Sequence, residues 1–357
     1  MRDELRYDPA GPVLITGGYG LVGAELARLV ATDLPDRGLL LTGRTPANGA
    51  TLARELGAEV RRWDLDAPEP FAAAVSAVVS CVNDPGDRVL RAAVAAGVPY
   101  VDITRWTARV QRAATVAALL RPTAPVLLSS AWMGGVSTLV AASLADRLGG
   151  ADRVETAVRW DMADRSGADS VEFMDRLGLD FEVVEDGRRR LVGPLSGART
   201  VRIGADPTTV ARLDTPEQYT LPLTLGTTTA ATRIGFSSAA ATRGLLALRR
   251  TGFFRWAGGA RWTPARRALL HSPGSGGTAR FRVDLAHGPR TAAVTVSDGL
   301  GQCHLTAVGA LLGLRRVLGA DGADPVPGVS FPELTPRPAA VPEALAALGV
   351  ELTEAAA

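Results

Sequence analysis

Val13-Leu14-Ile15-Thr16-Gly17-Gly18-Tyr19-Gly20-Leu21-Val22-Gly23 is the stretch that decides the fold. A short apolar run ends in glycines, and a helical pattern follows with Leu21, Val22, Leu26, Leu29 and Val30 on one face. The G-x-G-x-x-G spacing of Gly18, Gly20 and Gly23 carries weight because it lies between a predicted strand and a predicted helix. In a strand–turn–helix of this kind Gly18 is expected to permit the tight turn. Gly20 lets the backbone approach a pyrophosphate, and Gly23 lets helix and strand pack closely. The free N–H groups of the helix start then face the phosphates. Tyr19, Leu21 and Val22 belong to the same expected nucleotide contact.

Outward from this motif, strand and helix patterns alternate. Apolar runs at 39–42, 59–63, 77–82, 99–103 and 126–130 alternate with helical patterns at 50–56, 87–96 and 108–120. That alternation predicts a parallel, doubly wound α/β sheet of the Rossmann kind. The texture changes after a helix over 138–148. Runs at 181–185 and 188–192 flank Asp186-Gly187, a strong hairpin signal, and runs at 281–285 and 291–297 flank a Gly-Pro turn. An inserted α+β domain with a mixed or antiparallel sheet is therefore expected over 134–299. The Rossmann domain is expected over 9–133 and 300–357, its last part including an amphipathic helix from Leu305 to Leu318. A glycine-rich loop at 272–277 reads as a flexible connection.

The 357 residues suffice for two such domains, and 46% hydrophobic with 21% charged residues is ordinary globular composition. A net charge of +2 gives no footprint of a nucleic-acid partner. Every basic residue is arginine, so no Schiff-base lysine and no lysine-assisted acid exists in this chain. Two cysteines, Cys81 and Cys303, make no disulfide framework, and a reducing cytoplasm is expected. The first twelve residues are polar and acidic, no stretch approaches ~18 apolar residues, and neither a secretory signal nor a membrane span is expected. His271, His287 and His304 are scattered, so no metal site is expected.

The candidate site gathers at the carboxyl ends of the predicted strands, where ligands bind in open α/β sheets. After the second strand come Gly43-Arg44-Thr45, where enzymes that use NAD place a carboxylate for the ribose 2′-hydroxyl. Arg44 can pair with a 2′-phosphate and Thr45 can donate to it, so NADP(H) is the expected cofactor. A solvated surface arginine is the competing reading. Asp64-Leu65 falls where an adenine-contacting turn belongs, against a plain turn aspartate. Asn83-Asp84 and Thr104 end the fourth and fifth strands and are expected beside the cofactor. Arg105 and Trp132 are expected on the substrate side, with domain packing as the other reading of Trp132. Water or a carboxylic group must deliver the proton that accompanies a hydride, and Asp102 is the carboxylate expected to do so. A structural carboxylate that satisfies nearby backbone amides is the alternative.

These segments resemble the saccharopine dehydrogenase-like (saccharopine reductase) family of NAD(P)-dependent oxidoreductases. The likeness runs through the glycine loop, Thr42-Gly43-Arg44-Thr45, and Val78-Val79-Ser80-Cys81-Val82-Asn83. It continues in residues 95–103 and in Gly134-Gly135-Val136-Ser137-Thr138-Leu139-Val140-Ala141. The tail Gly328-Val329-Ser330-Phe331-Pro332-Glu333 also fits. The resemblance implies a Rossmann domain, an inserted domain for substrate and homodimer contacts, and a C-terminal segment that returns to the first domain. It also implies reduction of an imine or carbonyl in a small amino-acid-like or secondary-metabolite substrate. An enoyl reductase working beside a polyketide synthase and a non-catalytic NADP(H)-binding protein stay open as alternatives. Family members with amino-acid substrates often carry Asp-Pro before the glycine of the strand-six loop. Ala131-Trp132-Met133-Gly134-Gly135 stands there instead, a bulkier and less polar wall. The glycine loop also looks like an extended short-chain dehydrogenase, but that class needs a Tyr-x-x-x-Lys pair that a lysine-free chain cannot supply.

Overall fold

A computed structural model describes residues 3–165, 175–264 and 274–356. The chain divides into two compact units, one of Met1–Val136 with Thr306–Pro336 and one of Ser137–Leu305 with Arg337–Ala357. His271 and the start of the loop read at 272–277 lie outside the described residues.

The first unit contains strands β1 (Glu4–Tyr7), β2 (Val13–Thr16), β3 (Leu39–Gly43), β4 (Glu59–Arg62), β5 (Ala72–Val75), β6 (Ala77–Ser80), β7 (Tyr100–Asp102) and β8 (Pro125–Leu128). Among them lie helices α1 (Leu21–Asp33), α2 (Ala50–Leu56), α3 (Arg88–Ala95) and α4 (Thr107–Leu120). A seven-stranded sheet runs in the order Gly328–Ser330, β8, β7, β6, β2, β3, β4, with every neighbouring pair parallel. The central strands β2 and β6 are buried along their whole length, which is why they read as unbroken apolar runs rather than alternating ones. Leu14, Val78, Tyr100, Val126 and Leu128 join α3 and α4 residues such as Leu90, Val94 and Val110 in one core. Burying a side chain of this size contributes roughly 1.5–3 kcal/mol. Strand order reverses at β2, with β3 on one side and β6 on the other. That reversal opens the crevice in which doubly wound sheets bind ligands.

Two features of this unit went unread in the sequence. Strands β1 and β5 form a separate parallel pair, and the polar Glu4–Tyr7 buries only Leu5. The seventh strand, Gly328–Ser330, comes from the tail and pairs with β8.

The second unit is built on a mixed seven-stranded sheet. Its order is Arg199–Ile203, Asp206–Arg212, Thr229–Phe236, Arg153–Trp160, Ala279–His287, Arg290–Asp298, Glu351–Glu354. Only Thr229–Phe236 and Arg153–Trp160 pair in parallel. The hairpin Phe181–Glu185/Arg188–Val192 turns at Asp186 and Gly187, both at positive φ, as a two-residue turn between twisted strands demands.

The division differs from the expected one at its end. Residues 337–357 were expected with the Rossmann unit. Instead Glu351–Glu354 covers the edge of Arg290–Asp298, and the Arg282 guanidinium donates to the carbonyl of Ala356 at 2.6 Å. An open strand edge presents unpaired N–H and C=O groups, and the tail satisfies one row of them.

Candidate functional site

The glycine loop joins β2 to α1. Gly17 and Gly18 both donate to the carbonyl of Thr42 at the end of β3, at 2.8 and 3.2 Å, and Gly20 donates to Gly17 at 2.9 Å. The residue that needs glycine for its backbone is Gly17, at φ +69, not Gly18. Gly18 needs it for space, because a Cβ there would sit 2.9 Å from the Ile15 carbonyl and from Leu41. At Gly23 a Cβ would run into the Gly17 carbonyl oxygen, with Gly18 Cα at 2.9 Å. So Gly23 lets the helix start lie against the loop, whereas its spacing pointed to close packing of helix and strand. Gly20 caps α1 with extended backbone and no side-chain hydrogen bond. The N–H groups of the first turn therefore have no side-chain partner at the cap and are free of intrahelical ones. Leu21 was expected on the buried face of α1 but is 45% exposed at this end of the helix.

Beyond β3, Arg44 and Thr45 are exposed, and among the described residues no ion pair involves Arg44. No Asp or Glu occurs from Leu39 to Ala53. Tyr19 reaches across from the glycine loop, and its phenol oxygen accepts the Thr45 N–H at 3.0 Å. Burial pushes the Tyr19 hydroxyl above its usual range, against the Thr45 hydrogen bond and the Arg44 charge.

The turn after β4 is tied down. Asp64 pairs with Arg62 at 3.1 Å and accepts the Asp66 N–H, while its carbonyl accepts from Arg88. Leu65 packs on the apolar core. After β6, Asn83 is half-buried, but Asp84 is buried and accepts the Val89 N–H at 2.8 Å, so it caps α3. Cys81 lies between them and the strand, and desolvation pushes its thiol above the ordinary range, which disfavours the thiolate.

Asp102 and Arg105 depart from expectation. Asp102 is fully buried at the end of β7. It accepts from Tyr100 Oη at 2.6 Å, the Thr104 N–H at 3.0 Å, Arg105 Nε at 2.7 Å and, more weakly, the hydroxyls of Thr104 and Ser130. Both of its oxygens are occupied and no surface is open to a reactant. Arg105 is turned inward as well, donating to Asp87, which Arg112 also meets at 2.9 Å. A guanidinium placed between two buried carboxylates holds the loop after β7 and does not line a substrate cavity. Thr104 shares this duty, since its hydroxyl donates to the Val82 carbonyl at 3.0 Å.

The loop after β8 carries Trp132, which is half-buried, and then three successive residues at positive φ: Met133, Gly134 and Gly135. A Cβ on Gly134 would sit 2.6 Å from the Thr306 carbonyl, and one on Gly135 2.6 Å from Pro332. The Gly134-Gly135 and Phe331-Pro332 stretches, singled out separately in the sequence, thus lock one corner of the first unit.

In the second unit, His304 Nδ1 lies 2.7 Å from Asp298 Oδ2, and both side chains are buried. Sequence spacing gave no sign of this pair, because five residues and the turn into a helix separate its members. Among the described residues no group of three or more His, Cys, Asp or Glu side chains could hold a metal ion. No described helix is long and apolar enough to cross a membrane.

The chain joins a Rossmann-type parallel sheet to a unit with a mixed sheet. The chain has this fold in common with the saccharopine dehydrogenase (L-Glu forming) of Saccharomyces cerevisiae, at a TM-score of 0.67 and 11% identity, over 97% of this chain and 100% of that one. Weaker likenesses include the scyllo-inositol dehydrogenase of Lactobacillus casei (TM-score 0.46, 12% identity, 96% and 99% covered). Another is a putative myo-inositol dehydrogenase of Sinorhizobium meliloti (TM-score 0.45, 16% identity, 95% and 94% covered). No protein-family model and no curated protein matches the sequence.

Proposed function

We propose that this protein is an NADP(H)-dependent oxidoreductase that transfers hydride to an imine or carbonyl carbon of a small amino-acid-like or secondary-metabolite substrate. The observation that carries the reading is the pairing of two features at one sheet edge: a glycine turn too tight for any side chain at Gly23, and an exposed Arg44 on a turn without carboxylates. The first suits a pyrophosphate approached by backbone. The second supplies a cation where a 2′-phosphate of nearly two charges would lie. The nicotinamide, when bound, supplies the hydride. The chain's part is to hold the phosphates, orient the ring over the ends of β6, β7 and β8, and exclude water around the reacting carbon. With Asp102 closed off, the proton comes from water or from an acid other than Asp102. A homodimer through the second unit's sheet belongs to the same reading, and light scattering tests it.

A charge-assisted arginine–phosphate contact contributes on the order of 1.5–3 kcal/mol, or roughly 10- to 150-fold in affinity. Wild-type protein is therefore expected to bind NADPH well ahead of NADH in fluorescence titrations, and Arg44→Ala is expected to lose most of that margin. Equal affinity of the wild type for both cofactors refutes the cofactor assignment. A panel of imines and carbonyl compounds that leaves NADPH unoxidised refutes the reaction.

A further inference from the structure

We infer that Tyr19 is a specificity-positioning residue: it fixes the Gly43–Thr45 turn so that Arg44 stands where the 2′-phosphate arrives. This rests on the NADP(H) reading above and assigns to the first variable position of the glycine motif a role its spacing does not imply.

Three observations converge on Tyr19. Its phenol oxygen accepts the backbone N–H of Thr45, the residue that follows Arg44, at 3.0 Å. Its ring covers Gly43, the residue that precedes Arg44, so closely that a Cβ there would run into the hydroxyl, with Cζ at 2.6 Å. The ring also covers Gly49, where a Cβ would fall 2.7 Å from Cδ1. Arg44 is thus gripped on both sides by one side chain from another loop.

The Gly49 backbone, at φ −91 and ψ −8, is right-handed and open to any residue. Gly43 is not at positive φ either. Neither glycine is needed for conformation, so the space each leaves is space for the Tyr19 ring. Such an arrangement costs conformational freedom in the turn before ligand arrives, and that preorganisation favours a ligand whose charge meets Arg44. A cofactor without the 2′-phosphate gains nothing from a fixed Arg44.

The variants are Tyr19→Phe, which removes only the acceptor for Thr45, and Gly49→Ala, which displaces the ring while leaving Tyr19 in place. Arg44→Ala is the reference. NADPH and NADH are titrated against each, with near-ultraviolet circular dichroism to confirm the fold. One hydrogen bond to the turn is worth about 2- to 10-fold. Tyr19→Phe and Gly49→Ala are each expected to lower NADPH affinity by about that factor while NADH affinity stays constant, so the ratio falls toward that of Arg44→Ala. If the wild type prefers NADPH, Arg44→Ala loses the preference and both Tyr19→Phe and Gly49→Ala keep it, the role of Tyr19 is overturned and the cofactor reading stands. If the wild type shows no preference, both fall. If both cofactors weaken equally in Tyr19→Phe, the residue supports the loop in general and its role in specificity is overturned.

Discussion

Arg105 Nε donates to Asp102 Oδ2 at 2.7 Å, and both side chains are 1% exposed. A buried charge is costly unless it is paired and hydrogen-bonded, and Tyr100, Thr104 and Ser130 join Arg105 in filling the shell of Asp102. The strongly basic Arg105 stays charged, so removing the carboxylate charge leaves a buried cation with Asp87 as its remaining carboxylate. Breaking a buried pair from one side costs about 3–5 kcal/mol. Asp102→Asn should therefore lower the urea unfolding midpoint sharply, while turnover per folded molecule is retained. Unchanged stability with lost turnover would return Asp102 to the chemistry.

The burial of that pair shows where sequence reading stops. The glycine turn and the parallel strands were legible because Val13–Thr16 and Ala77–Ser80 are buried on both faces, and their composition has one physical explanation. The exposure of Arg44 was legible because exposure is the default for arginine after a strand. Asp102 was not, since a carboxylate at a strand end has the same spacing whether it faces a ligand or the loop beside it. The local pattern Tyr100-x-Asp102-x-Thr104-Arg105 held the answer, because four of its groups meet within six residues. The pairing of Glu4–Tyr7 with Ala72–Val75 was hidden for a different reason. A strand that buries one leucine, paired with one that fully buries only Val75, leaves no apolar periodicity to find.

Asp84 offers a test through pH. Burial lifts its carboxyl above the ordinary range, outweighing the N–H groups of Arg88 and Val89 and the charge of Arg105. The folded protein therefore takes up this proton more readily than the unfolded chain does. The stability that Asp84 lends is complete below the unfolded value near 3.9 and is lost as pH rises through the folded value. Relative to wild type, Asp84→Asn should be most stable at neutral pH and should lose ground as pH falls toward about 4. Urea midpoints of the two proteins at both pH values measure this, and a difference independent of pH contradicts it. Because the carboxylate faces the start of α3, the substitution should leave NADPH titrations unchanged.

Gly23→Ala separates the cradle from the specificity turn. Alanine in a helix is favoured over glycine by about 1 kcal/mol, so propensity alone would make the change stabilising. The new methyl group, however, would meet the Gly17 carbonyl oxygen and Gly18 Cα, which are backbone atoms with no rotamer to yield. Either α1 moves away from the loop or the Gly17–Gly20 turn opens, and overpacking of this sort costs roughly 1–3 kcal/mol. In both cases the first-turn N–H groups of α1 leave the positions from which they would meet a pyrophosphate. NADPH and NADH share that pyrophosphate, so Gly23→Ala should weaken both by the same factor and leave their ratio at the wild-type value. Arg44→Ala does the reverse, changing the ratio and sparing NADH. Parallel titrations of the two cofactors decide the matter. A Gly23→Ala protein that folds and binds both as the wild type does would show that this loop is not where the phosphates sit.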